Sequence, residues 1–278
     1  MALHVFNANI FKLDGGAMFG VVPKSMWNKI NPADENNMTT WVARCLLFKQ
    51  ENRLFLVETG LGNKQDAKFK SHFYVNENED IAEEISKLGY KAEEVTDVIF
   101  THLHFDHNGG AIKKNLNGDF ELTFPNANYW TSRAQWELFQ NPNQREKASF
   151  LKENMQLIVD LHKLHFIDEE ASFPNIEFII VSGHTESQTL PLITYNDHKI
   201  LFAGDLFPSH AHIRMPYVMA YDMKPLLTME EKEWVLEQAV NENWFIVFGH
   251  DPQYLGATIK KENDKYLTDK LFTTYNFN

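Results

Sequence analysis

Three imidazoles and one carboxylate fall within six positions of the stretch Thr101-His102-Leu103-His104-Phe105-Asp106-His107-Asn108-Gly109-Gly110. Neutral imidazole nitrogen and carboxylate oxygen are the donors that borderline divalent cations such as zinc prefer. Three further residues of ligand type stand far downstream: His184, Asp205 and His250, each directly after a glycine. So many ligands exceed what one tetrahedral ion can use, and the set predicts two metals side by side.

Apolar runs identify the elements that must position these groups. Val95-Thr96-Asp97-Val98-Ile99-Phe100 predicts a buried strand that ends where the first histidine begins. His102 and His104 are two apart, so at an extended strand end they leave on the same side. The chain must then turn for Asp106 and His107 to reach a second point nearby, and Gly109 and Gly110 supply backbone freedom. Three later runs repeat one pattern: 176–181 before Gly183-His184, 199–203 before Gly204-Asp205, and 244–248 before Gly249-His250. Four strands that each deliver a ligand near their C-terminal end would gather distant side chains into one site.

Elsewhere, residues 4–13 and 17–22 read as two strands about the turn Asp14-Gly15-Gly16, able to pair as a hairpin. Residues 41–48 and 54–57 read as a second hairpin, turning at Lys49-Gln50-Glu51-Asn52. Residues 80–89 have apolar positions at helical spacing and a terminal glycine, and so predict a short amphipathic helix. Residues 124–130 suggest a short strand. A helical excursion follows at about 131–165, broken near Asn141-Pro142-Asn143; its His162 and His165 read as ordinary helix-face histidines.

His-x-His-x-Asp-His, preceded by Thr101 and followed by Gly109-Gly110, resembles the signature of the metallo-β-lactamase superfamily of metal-dependent hydrolases. The later Gly183-His184-Thr185 and Gly204-Asp205 steps are similar to that family's Gly-His-Thr and Gly-Asp. The resemblance implies an α/β fold (α+β in some schemes), a four-layer αββα sandwich of two mixed β-sheets flanked by helices. It implies a single domain over residues 1–278. It puts His102, His104 and His184 on one metal and Asp106, His107 and His250 on the other, with Asp205 bridging. Two cations about 3.5–4 Å apart share a water and bring its pKa towards neutrality, so a metal-bridging hydroxide is the expected nucleophile. Asp106 and Asp205 are then the catalytic carboxylates, and zinc is the expected metal, with iron and manganese compatible with the same donors.

The substrate expected is a small, mostly apolar ester: a lactone, aryl ester or phosphotriester, as in the lactonase and methyl-parathion-hydrolase-like branch. Phe105 and Phe207 are candidates for its apolar mouth. His210, His212 and Tyr221 are candidates for supporting the ligands or meeting the substrate. Some lactone-cleaving members carry a tyrosine three residues past the bridging aspartate, where this chain has Pro208. Alternatives on the same fold are a thioester hydrolase of the glyoxalase II type and a di-iron redox protein. A true β-lactamase is disfavoured, because those enzymes place cysteine where Asp205 stands.

Composition narrows the partners. Thirty-eight acidic against 26 basic residues give a net charge of −12, which repels phosphate backbones, so nucleic acid is not an expected partner. No apolar run is long enough to span a bilayer, and the opening Met1-Ala2-Leu3-His4 does not read as a secretory signal. The chain therefore reads as cytoplasmic, with its single cysteine, Cys45, buried in a strand. Fold-level analogy allows a homodimer through the N-terminal apolar segment.

Overall fold

The computed structural model describes residues 3–76, 79–170 and 173–274; Met1 and Ala2 of the opening segment lie outside them. It is a mixed α/β protein in which two six-stranded sheets and flanking helices carry the chain. Two compact units make it up: Met1–Phe11 with Ala43–Ser172, and Lys12–Val42 with Phe173–Asn278.

The first sheet takes strands β1 (Leu3–Asp14), β2 (Met38–Gln50), β3 (Arg53–Val57), β4 (Asp97–Ile99), β7 (Asn128–Thr131) and β8 (Leu164–Phe166), in that order. The short β5 (Ile112–Lys114) and β6 (Phe120–Leu122) form a separate hairpin. β2 and β3 pair antiparallel across a two-residue turn at Glu51-Asn52, with Glu51 at φ 52°. β4 lies between β3 and β7 and runs parallel to both. Every residue of β4 is buried, and its Val98 joins Leu56, Phe100 and Tyr129 in the core of this unit. That core also takes Ile81 and Ile85 from the helix Ile81–Lys87, which Asp80 caps by accepting from Ala82 N at 2.8 Å.

The second sheet runs β14 (Lys265–Phe272), β13 (Gly256–Glu262), β12 (Phe245–Val247), β11 (His198–Phe202), β10 (Gln188–Tyr195), β9 (Ile176–Val181). Among its described residues only β11 and β12 pair in parallel. The 17-residue helix Pro225–Asn241 supplies Val235, Leu236 and Ala239 to this unit's core, beside Leu190, Leu201, Phe207 and Ile246. Neither this helix nor the hairpins β9–β10 and β13–β14 stood out in the sequence as motifs.

Two expectations need correction. Residues 17–22 are not a strand: Asp14 Oδ1 accepts from Ala17 N at 2.9 Å and starts a short helix, Gly15–Phe19. Gly20 ends it at φ 56°, and Phe19 stacks on Trp27 at 5.2 Å between centroids. The capping carboxylate and the ring contact outweigh the β-forming tendency of Met-Phe-Gly-Val-Val. The segment 131–165 is less helical than its pattern implied. A helix spans Arg133–Gln140, then come two 3₁₀ turns and the five-residue helix Gln156–Asp160. Its end is strand β8, parallel to β7, and His165 lies on that strand against Trp130 rather than on a helix face. The free edge of β7 captures these residues through backbone pairing, which periodicity does not register.

Candidate metal centre

In the first unit the end of β4 hands the chain to Thr101, whose N–H donates to Glu58 Oε1 at 2.8 Å. Glu58 lies at the end of β3 with φ 63°, buried, and its Oε1 is also 3.6 Å from His107 Nδ1. Thr101 Oγ1 contacts His102 Nδ1 at 2.9 Å. A short helix, Phe105–Asn108, starts directly after His104 and swings His107 back over the strand end. The ring of His102 then lies 4.5 Å from that of His104 and 4.0 Å from that of His107, centroid to centroid. All three imidazoles are buried, whereas Asp106 is partly exposed, with Oδ2 3.7 Å from His107 Nε2. So the dense motif does form one cluster of imidazoles.

The scaffold under this loop is polar and buried. Thr59 gives both its N–H (2.8 Å) and its hydroxyl (3.1 Å) to the His107 carbonyl. Asn108 Nδ2 donates to Leu103 O at 3.0 Å. Gly109 packs so tightly that a Cβ there would lie 2.0 Å from Leu61 O. Lys64 donates to the Gly109 carbonyl, and burial lowers its amine pKa to about 7.

In the second unit β11 and β12 end side by side, and Gly204 and Gly249 then release Asp205 and His250. A Cβ on Gly249 would lie 2.5 Å from Gly204 O, so the approach of the two loops requires glycine there. Backbone bonds lock the loops: His250 N donates to Pro208 O at 2.8 Å, and Asp205 N to Gln188 Oε1 at 3.0 Å. The two oxygens of Asp205 then face two different rings. Oδ1 is 2.7 Å from His250 Nε2, and Oδ2 is 3.1 Å from His184 Nε2. On their far sides, His184 Nδ1 meets Asp222 Oδ1 at 2.9 Å, and His250 Nδ1 meets Val42 O at 2.9 Å.

Those far-side partners decide what this cluster can hold. A carbonyl only accepts, so His250 must carry its hydrogen on Nδ1. Its Nε2 in the neutral ring is then a lone pair facing a carboxylate oxygen at 2.7 Å. Two electron-rich atoms that close require a cation, either a proton or a metal ion. His184, with a carboxylate oxygen at each nitrogen, poses the same demand. Buried histidines oriented by a carbonyl and a carboxylate are what a divalent-metal site uses, so the residues present fit such an ion.

The other candidates have plain positions. His210 is partly buried, with Nδ1 2.5 Å from Asp251 Oδ2, and it joins the loop after Asp205 to the loop after His250. Burial raises the Asp251 pKa, but the His210 bond and charge outweigh it with two backbone donors, and the net direction is down. His212 is fully buried, bonded through Nδ1 to Ser209 Oγ (2.7 Å) and through Nε2 to Met18 O (2.9 Å), and it stacks on Phe19. Burial lowers its pKa to about 3. Phe207 lies in the apolar core, Tyr221 is exposed on a turn, and its neighbour Asp222 is the buried partner of His184. Phe105 packs its ring against Phe69 (5.3 Å) and Phe73 (4.8 Å) of the helix Ala67–Phe73.

Sequence reasoning passed over Glu146, Gln188 and Lys232, and took Glu58 only as a strand end. Lys232 with Tyr217, Gln188 with Asp205 and Glu58 with Thr101 are 15, 17 and 43 residues apart, and no local spacing announces these pairs. Glu58-Thr59-Gly60 after a strand was the one available cue.

The sequence profile of the metallo-beta-lactamase superfamily matches residues 38–113 and 127–250. The chain belongs to that superfamily, and it is a metal-dependent hydrolase of that fold. It is 25% identical over 243 residues to an N-acyl homoserine lactonase of Bacillus cereus, covering 82% of this chain and 87% of the relative. Among solved structures it resembles a probable metal-dependent hydrolase from Staphylococcus aureus, at TM-score 0.87 and 28% identity over 98% and 96% of the two chains. It shares its fold with a dizinc quorum-quenching lactonase solved with its product, at TM-score 0.78 and 19% identity over 96% and 92%.

Proposed function

We propose that this protein is a dinuclear-metal hydrolase that opens a lactone bearing an apolar acyl chain. The observation that carries this is Asp205, a buried carboxylate with each oxygen against the Nε2 of a different histidine. In this proposal His102, His104 and His184 hold one divalent ion, Asp106, His107 and His250 the other, and Asp205 both; zinc is the metal we favour. When bound, such a pair supplies a water of near-neutral pKa and polarises the carbonyl of the ester.

The chain's own residues do the rest. Asp222 and the Val42 carbonyl fix the hydrogens of His184 and His250 on Nδ1, so both Nε2 atoms offer lone pairs. Glu58, 3.6 Å from Nδ1 of His107, steadies that ring electrostatically. Asp106, the partly exposed carboxylate of the set, takes the proton of the attacking water and returns it to the ring oxygen as the acyl C–O bond breaks, leaving a hydroxy acid. Phe105, Phe69 and Phe73 form a half-buried aromatic patch beside Asp106 that suits an apolar acyl chain better than a charged nucleotide. The lactonase relatives, matched over most of both chains, support this choice among esters.

The test is metal analysis followed by a hydrolysis screen over acylated lactones, aryl esters, thioesters and phosphotriesters. Two equivalents of divalent metal and the highest kcat/KM on lactones are expected. A preference for thioesters, or a coloured di-iron protein, would overturn the proposal.

A further inference from the structure

The segment 141–154 carries a feature that apolar packing does not explain. Glu146 is buried at 4% exposure, while Glu137, Glu153 and Asp160 of the same excursion are exposed. Asn143 holds it at both ends: its Oδ1 accepts from Glu146 N at 3.0 Å, and its Nδ2 donates to Glu146 Oε2. The other carboxylate oxygen, Oε1, is thereby turned to His104 and lies 3.5 Å from its Nε2.

Two more side chains from this segment bear on the same loop. The Phe150 ring packs on the His104 ring at 5.0 Å, with Phe139 behind it at 5.6 Å. Asn154 Nδ2 donates to Asn108 Oδ1 at 2.7 Å, and Asn108 in turn holds Leu103 O. A segment that served stability alone would do as well with an apolar residue at position 146, since a buried charge is costly to desolvate.

We infer that Glu146 is the positioning residue that sets the ring orientation and tautomer of His104. The 3.5 Å approach is an electrostatic contact and not a formed hydrogen bond, and an acceptor on that side favours the tautomer with its hydrogen on Nε2, which leaves the Nδ1 lone pair for a divalent ion. Phe150 then limits rotation of the ring. This rests on the proposed role of His104 as a metal ligand. Loss of such a partner typically weakens metal binding about 10–100-fold.

The experiment uses the zinc-loaded full chain. Long-range nitrogen–proton NMR of the histidine rings is expected to place the His104 hydrogen on Nε2. Zinc competition against a chelator is expected to show affinity about 10-fold weaker in Glu146→Gln, whose amide oxygen can still accept, and about 100-fold weaker in Glu146→Leu. The melting temperature of Glu146→Leu should stay level or rise. A His104 hydrogen on Nδ1, or wild-type zinc affinity in folded Glu146→Leu, overturns the assignment. If Glu146→Leu does not fold, the wild-type tautomer together with Glu146→Gln decides. A wild-type chain that takes up no divalent ion defeats the ligand role of His104 itself, whereas two bound ions whose affinity ignores position 146 defeat only Glu146.

Discussion

Replacing Asp222 by asparagine isolates the charge that meets His184 on the side away from Asp205. The Asp222 carboxylate is buried and meets His184 Nδ1 at 2.9 Å. As an acceptor it admits a single neutral tautomer, with the hydrogen on Nδ1 and the Nε2 lone pair turned to the side of Asp205, 3.1 Å away. In Asp222→Asn the side chain keeps the volume and one acceptor but also offers an NH₂ donor. The amide can flip and stabilise the opposite tautomer, whose Nε2–H cannot bind a cation. Supporting groups of this kind are worth about 10–100-fold in metal affinity or activity, or about 1.4–2.7 kcal/mol. Asp222→Ala, which removes the acceptor altogether, should fall at or beyond the upper end. The assay is chelator competition for bound metal with kcat/KM on the preferred ester, and thermal melting as the control for folding. A folded Asp222→Asn protein with wild-type metal retention and wild-type kcat/KM would refute the role assigned to this carboxylate.

Asp205→Ala should abolish turnover and sharply cut metal content while far-UV circular dichroism stays native, because the Asp205 backbone keeps its own bond to Gln188. Phe69→Ala should raise KM for long-chain acyl lactones about 5–10-fold, about 1–1.5 kcal/mol for a half-buried ring, and leave short-chain substrates nearly unchanged in the same kinetic comparison. His212 gives the fold an acid weakness. Its pKa is about 3 when folded and about 6.5 when unfolded, so between these values the unfolded chain binds the extra proton and stability falls as pH drops. The full effect is about 4–5 kcal/mol, complete only below about pH 3. Urea midpoints between about pH 7 and pH 4 should therefore decline less in His212→Gln than in wild type; parallel declines would rule His212 out.

Residue types at short range were legible from the sequence. His102, His104, Asp106 and His107 read as a candidate metal loop because four donors in six positions have no ordinary structural use, and a strand-glycine-ligand repeat marked His184, Asp205 and His250 as further candidates. The glycines before the ligands were legible too, though only the structure gives the reason, which at Gly249 is the backbone of Gly204 where a side chain would begin. Local pattern misled where a cap or a sheet edge competed with it, at the Asp14-capped helix and at β8. What only the tertiary structure decided is which groups stand against the rings: Asp222 bonded to His184 and Val42 to His250, with Glu58 at 3.6 Å from His107 and Glu146 at 3.5 Å from His104. Each acts across 38 or more residues of chain, up to 208 for Val42. Tautomer and ring orientation depend on hydrogen-bond geometry through space, and spacing along the chain carries no record of it.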